Sequence, residues 1–366
     1  MSVTRRAFIE RSAVLAAGAL MSRPALPPLP TGRTHKPLGV ALVGLGSLST
    51  NQIAPALLRT ADCTLAGIVT GTPAKAARWK TQYNLPDRSI YDYTTMERMA
   101  DNPDIDIVYV VTPNALHAEH SILAARAGKH VLCEKPMEVS VERCEAMIVA
   151  SKAANRQLAI GYRCQFEPHH LECVRLAKER VLGDVKLISA GFGFPIGDPT
   201  QWRLNKALAG GGPLMDVGIY ALQSARMLAG EEPVAVSAMM VNTDPVKFKD
   251  IEESMTFQLT FPSGVIADCR TSYKVSGMNG FTAYTARGAF GVEPAYGYAG
   301  IKAWRSDGVA LRFDPIDHFV AELDDFARCV RTGAPTKVPG EEGLRDIRIM
   351  MAAYEAARTG RAVNFS

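Results

Sequence analysis

The chain has 366 residues, 47% hydrophobic and 21% charged, which suits a soluble globular protein of two domains and excludes a disordered or fibrous one. The formal net charge is only +4, and Arg5, Arg6 and Arg11 supply part of it at the very start, so nothing points to nucleic acid as a partner. Seven cysteines, an odd number without any C-x-x-C pair, read as buried free thiols, and no metal site is expected.

The first segment reads Thr4-Arg5-Arg6-Ala7-Phe8-Ile9 and runs into small apolar residues from Ala13 to Met21. This order is that of a twin-arginine export leader, which carries proteins already folded, often around a cofactor. The plainer alternative is a short amphipathic arm: Glu10 stands where a basic residue is commoner, and no small-x-small cleavage site is visible. The expected compartment is the periplasm, or the cytoplasm if the leader does not function. The run falls far short of the roughly 20 apolar residues that span a bilayer, so stable membrane insertion is not expected. Pro24-Ala25-Leu26-Pro27-Pro28-Leu29-Pro30 then favours an extended polyproline conformation, either a linker or an arm packed on its own or a partner's surface.

From Leu38 to Tyr162 short apolar runs alternate with helical spacing. The strand-like runs are 39–43, 65–69, 107–111, 130–133 and 158–160, and helical patterns cover 115–127 and 141–154. This rhythm predicts a Rossmann-type, doubly wound parallel sheet. The first strand runs into Gly44-Leu45-Gly46-Ser47-Leu48-Ser49, where Gly44 and Gly46 allow a tight turn and a close approach to a pyrophosphate at the helix amino terminus. The second strand ends in Thr70, with Lys75 beyond it, where an NAD site would place a carboxylate. A hydroxyl and a cation favour the 2′-phosphate of NADP instead. The next strand ends carry Thr112-Pro113-Asn114, with His117 behind them, and Glu134-Lys135-Pro136. A lysine directly after a buried strand can hold a substrate hydroxyl and stabilise charge on oxygen.

After Tyr162 the rhythm changes. A helix over 168–181 and a strand over 185–194 lead to a glycine-punctuated helix over 213–229. Strands follow at 234–241, 254–261, 264–272, 281–286 and 288–292, and they read as an open, mainly antiparallel sheet with an apolar outer face. Two amphipathic helices, 316–331 and 342–358, close the chain. Within Gly210-Gly211-Gly212-Pro213-Leu214-Met215-Asp216-Val217-Gly218-Ile219-Tyr220, Asp216 and Tyr220 are spaced to share one helical face. A tyrosine near a lysine can have its phenol pKa lowered and serve as general acid–base. The chain thus divides into a leader and arm (1–37), an NADP-binding Rossmann domain (38–162) and an α+β domain for substrate and oligomerisation (163–366), whose final helices can pack back on the first.

Together Gly44-x-Gly46, Glu134-Lys135-Pro136 and the Gly210–Tyr220 segment resemble the glucose–fructose oxidoreductase / inositol dehydrogenase family over essentially Leu38 to the end. Tyr220 stands where most members carry His, and it resembles the glucose–fructose and aldose–aldose oxidoreductase branch. So do Gly161-Tyr162-Arg163-Cys164, Gln201-Trp202-Arg203-Leu204 and the closing Tyr354–Arg361. The resemblance implies a tightly held NADP, oxidation of an aldose to its lactone, and reduction of a second sugar to an alditol in a ping-pong cycle. It implies catalytic roles for Lys135, Tyr220 and Asp216, with Arg163 joining them at the sugar. The cofactor would lie against Gly44, Gly46, Ser47, Leu48, Thr70, Lys75, Thr112, Asn114, His117, Glu134, Lys135, Arg163, Trp202 and Arg203. The partners implied are sugars and a second copy of the chain, paired through the carboxy-terminal sheet. The rivals are an NADP-dependent aldose dehydrogenase with exchangeable cofactor, an NAD-dependent glycosidase and a non-enzymatic sugar sensor.

Overall fold

A computed structural model describes residues 35–365. The leader and the proline-rich arm therefore lie outside the described residues. The first layer is a six-stranded sheet built from β1 (Leu38–Val43), β2 (Cys63–Val69), β3 (Ile90–Tyr91), β4 (Ile107–Val110), β5 (His130–Glu134) and β6 (Leu158–Gly161). Their order is β3-β2-β1-β4-β5-β6, and every pairing is parallel. Helices cover both faces, which is why β1 and β4 are apolar throughout and nearly every residue in them is buried. The covering helices are α1 (Ala54–Leu57), α2 (Pro73–Tyr83), α3 (His117–Arg126) and α4 (Val141–Ala153). Strand order reverses between β1 and β4, so a crevice opens beyond their carboxyl ends, where a ligand binds in such sheets.

The chain then leaves through α5 (Pro168–Lys178) for a second layer made of β7 (Val185–Gly193), α6 (Lys206–Ala209), α7 (Ile219–Ala229), β8 (Ala235–Val241), β9 (Ser254–Thr260), β10 (Ile266–Ser272), β11 (Asn279–Thr285), β12 (Gly288–Val292) and β13 (Ala303–Arg305). With β14 (Val363–Asn364) these strands form an eight-stranded sheet in the order β13-β12-β11-β7-β10-β9-β8-β14. It is antiparallel except at its centre, where β10 runs parallel to β7. The helices between β7 and β8 form the crossover that a parallel pair needs. On the inner face Ile188, Ala190, Phe257, Leu259, Ala267, Cys269 and Phe281 are buried, and α7 packs against β7 and β10.

The outer face is more mixed than the strand patterns predict. Register places Tyr284, Leu187 and Ile266 side by side as one apolar row. The next row holds Thr282, Ser189, Asp268, Gln258 and Ser237. Two helices return to the first layer: α8 (His318–Thr332) and α9 (Gly340–Thr359). Arg331 of α8 pairs with Asp62 at 2.6 Å, and Cys63 Sγ donates to the Leu323 carbonyl at 3.6 Å. Gly343 of α9 sits so close that an added Cβ would lie 2.8 Å from that of Met137. All seven cysteines are free, and all but Cys164 are buried.

Candidate active site

The loop after β1 has the shape a dinucleotide needs. Gly44 has φ +91°, and a Cβ there would lie 2.8 Å from the Val111 carbonyl. At Gly46 the same atom would meet nothing within 4 Å, so the space over the loop is open to a pyrophosphate. Ser49, at the third glycine position, is buried and ties the turn by donating to the Gly44 carbonyl at 2.5 Å. Ser47 is exposed and Leu48 half-buried where the helix begins. Lys75 reaches back from α2 to bond the Leu45 carbonyl at 3.3 Å, and Thr70 Oγ1 accepts from the Thr72 amide at 3.3 Å. Glycine loop, hydroxyl and cation therefore meet at one end of the crevice, and residues 70–76 include no carboxylate. These residues fit a nicotinamide dinucleotide.

Other residues assigned to the cofactor have their side chains engaged within the protein. His117 is fully buried with its ring nitrogens 2.9 Å from the Pro136 carbonyl and 2.8 Å from the Thr112 carbonyl, so it braces the loops after β4 and β5. Burial lowers its pKa, although those two carbonyls work against the shift. Thr112 Oγ1 meets His120 Nδ1 at 3.1 Å, and Asn114 donates to the Ala209 carbonyl at 2.9 Å, joining the first layer to α6. Glu134 is buried behind the loop and accepts from the Tyr109 hydroxyl at 2.7 Å.

Three glycines precede Asp216 because the chain there runs against other groups. A Cβ on Gly211 would lie 2.0 Å from the Tyr354 hydroxyl, and one on Gly212 would lie 2.3 Å from the Glu252 carbonyl. The buried Glu252 carboxylate accepts from the amides of Gly212 (2.9 Å) and Leu214 (3.0 Å) and from the Tyr354 hydroxyl (2.9 Å). This anchors a wide helical turn over Leu214–Gly218, which leads straight into α7 and carries Asp216 and Tyr220 on successive turns.

Lys135 joins the two. Its Nζ donates to the Asp216 carbonyl at 2.6 Å, lies 3.6 Å from Asp216 Oδ1 and stands 4.8 Å from the centre of the Tyr220 ring. Asp216 Oδ2 also accepts from Arg203 Nε and from the Tyr273 hydroxyl, each at 3.0 Å. Burial pushes the Asp216 pKa upward, but Arg203 and Lys135 more than offset it and hold the carboxylate ionised. Arg203 also stacks on Trp202, its guanidinium 4.7 Å from the ring centre.

Tyr220 differs from the sequence-based expectation. Burial raises its phenol pKa, and the cation that works against the rise is Arg163. The Arg163 guanidinium lies 5.2 Å from the Tyr220 ring centre and 4.7 Å from that of Tyr298, and it donates to the carbonyls of Tyr296 (2.6 Å) and Gly297 (3.0 Å). Tyr273 and Tyr298 thus join a site where sequence reasoning had not placed them. Tyr298 is 51% exposed despite lying over Arg163, a position open to a ligand.

Comparison with known proteins places this arrangement in a family. Residues 38–162 match the oxidoreductase family, NAD-binding Rossmann fold; residues 170–291 match the GFO/IDH/MocA C-terminal domain; residues 314–365 match the oxidoreductase family, C-terminal alpha/beta domain. The chain belongs to the GFO/IDH/MocA family of oxidoreductases. It is 33% identical to the D-xylose 1-dehydrogenase [NADP(+)] of Haloarcula marismortui, over 90% of this chain and 94% of that one. It is 25% identical to an inositol 2-dehydrogenase of Rhizobium meliloti, over 89% and 98%. Among solved structures it resembles the aldose–aldose oxidoreductase of Caulobacter crescentus, complexed with glycerol, at 45% identity and TM-score 0.87, over 90% of this chain and all of that one.

Proposed function

We propose that the protein is an exported sugar oxidoreductase that keeps its NADP, oxidises an aldose to the aldonolactone and returns the reducing equivalents to a second sugar. The observation that carries this reading is the convergence of Lys135, Asp216, Arg163 and Tyr220 at the crevice, beside a loop whose Thr70 and Lys75 suit a 2′-phosphate. The bound nicotinamide would supply the hydride acceptor for one sugar and the donor for the next.

The chain's own residues handle the proton and the oxygen. Lys135, fixed by Asp216, points its charge at the reacting hydroxyl and stabilises negative charge there. Tyr220 as phenolate accepts that proton as the C–H bond of the same carbon breaks, becomes the phenol, and gives the proton back when the second sugar's carbonyl is reduced. Because burial disfavours the free phenolate, Arg163 is what makes its transient formation accessible. Arg203 and Tyr273 keep Asp216 aligned. Likeness to the aldose–aldose oxidoreductase supports the two-sugar cycle.

A second reading rests on the similarity to the xylose dehydrogenase: the same chemistry with a cofactor that exchanges. One experiment separates them. Given an aldose and no free nucleotide, the retained-cofactor enzyme forms aldonolactone and alditol in equal amounts. A plain dehydrogenase stays inert until NADP is added. Denaturing the purified protein should also release near-stoichiometric NADP(H). Export follows from the leader ahead of Gly44 and is checked by fractionating cells that carry the full chain or an Arg5→Lys, Arg6→Lys variant. The apolar row of Tyr284, Leu187 and Ile266 supports a homo-oligomer through the second sheet; a monomer mass by light scattering at micromolar concentration would exclude it.

A further inference from the structure

Behind Lys135, the hydroxyl of Tyr109 lies 2.7 Å from Glu134 Oε1 and 3.1 Å from Glu322 Oε2. Tyr109 on β4 is 0% exposed, Glu134 on β5 7% and Glu322 on α8 1%. A phenol has one proton to donate, so it can satisfy one of these carboxylates. A second ionised carboxylate at that distance would press its lone pairs against the phenol oxygen with no proton between them. The arrangement is satisfied when one acid is neutral and donates to the phenol, which in turn donates to the other.

The surroundings decide which acid is neutral. Burial raises Glu134 too, but the adjacent Lys135, the Tyr109 hydroxyl and Arg163 work against the rise. Glu322 Oε1 is buried and has no hydrogen-bond partner among the described residues, an expensive position for an ionised oxygen. Lys337, on the segment before α9, is turned away: it bonds the Gln165 carbonyl at 2.9 Å and lies 3.7 Å from the centre of the Phe166 ring. Arg163 and Cys164, in the turn after β6, also face Glu322. Burial and then the charge on Glu134 push Glu322 upward, further than Tyr109, Arg163 and Lys337 pull it down.

We propose that Glu322 is a neutral acid under working conditions and, through the Tyr109 hydroxyl, holds Glu134 as the only negative charge of the pair. Glu322 and Tyr109 are then positioning residues: they set one charge, not two, behind Lys135 and Tyr220. A second charge would draw Lys135 away from Asp216 and oppose the Tyr220 phenolate. This role in turnover rests on the proposed sugar chemistry, whereas the protonation state does not.

Infrared spectroscopy in heavy water at mildly alkaline pH reads the proton directly, because only a protonated carboxyl gives a carboxylic C=O band. Asp346, with its pKa raised to about 6, is ionised there. Wild type should show a band that Glu322→Gln lacks, since the amide can replace the acid as donor to Tyr109. A wild-type band left undiminished in Glu322→Gln would put the proton on Glu134 or on Glu252, which burial also raises, and no band in wild type would mean that neither acid of the pair holds it; either overturns the proposal. In Tyr109→Phe, Glu134 loses a donor and becomes easier to protonate, so the acid limb of the turnover profile should move up by about one pH unit. An unmoved limb would sink the positioning role. If no sugar is turned over at all, the infrared result still stands.

Discussion

Tyr220→Phe removes one oxygen and leaves the packing of the ring in place. That ring sits 5.6 Å from Phe192 and 5.4 Å from Tyr296, centre to centre, and both contacts survive the change. Arg163 keeps its bonds to Tyr296, Gly297 and His318, so the change unpairs at most one further donor. The stability cost should therefore stay at about 1 kcal/mol or less. The hydride step loses its proton acceptor, a group whose contribution is typically about 10² to 10⁴ in rate, equivalent to roughly 3–5 kcal/mol of barrier. The expected result is a folded protein that holds its nucleotide and scarcely reduces it. The assay is stopped-flow nicotinamide fluorescence after mixing with an excess aldose, with thermal unfolding measured in parallel. A variant reacting within tenfold of wild type would refute the assignment of Tyr220. Lost activity with a collapsed melting temperature would instead refute the claim that the ring alone supports the fold.

Thr70→Asp should weaken NADP at least tenfold through repulsion of the 2′-phosphate and raise affinity for NAD, as read by nucleotide titration of the apoprotein. Gly212→Ala places a methyl 2.3 Å from the Glu252 carbonyl, so the turn carrying Asp216 must shift; a loss of about 1–3 kcal/mol in denaturant unfolding and a larger fall in turnover are expected. Burial depresses His120, His130 and His318 to about 4. Such neutral histidines stabilise the fold above the unfolded value and lose that contribution as pH falls from about 6.5 through 4, with an order of about 2 kcal/mol each. Melting temperature should thus drop steeply over that window, and a flat profile would contradict their burial as neutral rings.

The legible parts of the fold were those with local signatures. The Gly44–Gly46 loop, the strand-end Glu134-Lys135-Pro136 and the Gly210–Tyr220 segment each carry their geometry in adjacent residues. Strands β3 and β13 have two and three residues, too few for any alternation to register. The β7–β10 pairing joins segments separated by α6 and α7, and no pattern within either strand encodes its direction. Tyr273, Tyr298, Glu252 and Glu322 reach the site from distant positions as single side chains, without periodicity or spacing to mark them. Tyr220 shows the deeper limit. Proximity to Lys135 was readable as a lowered phenol pKa, but burial, which sequence cannot measure, outweighs it, and the countering cation comes from Arg163.

The chain crosses between the layers three times: it departs after Tyr162, comes back at α8, and leaves again from α9 into β14, which pairs with β8. The first two crossings touch, because Arg163 donates to His318 Nδ1 at 3.1 Å. The guanidinium that rests over Tyr220 is thus also a clasp between the layers, so the cation that tempers the phenol is held in place by the crossings of the fold itself.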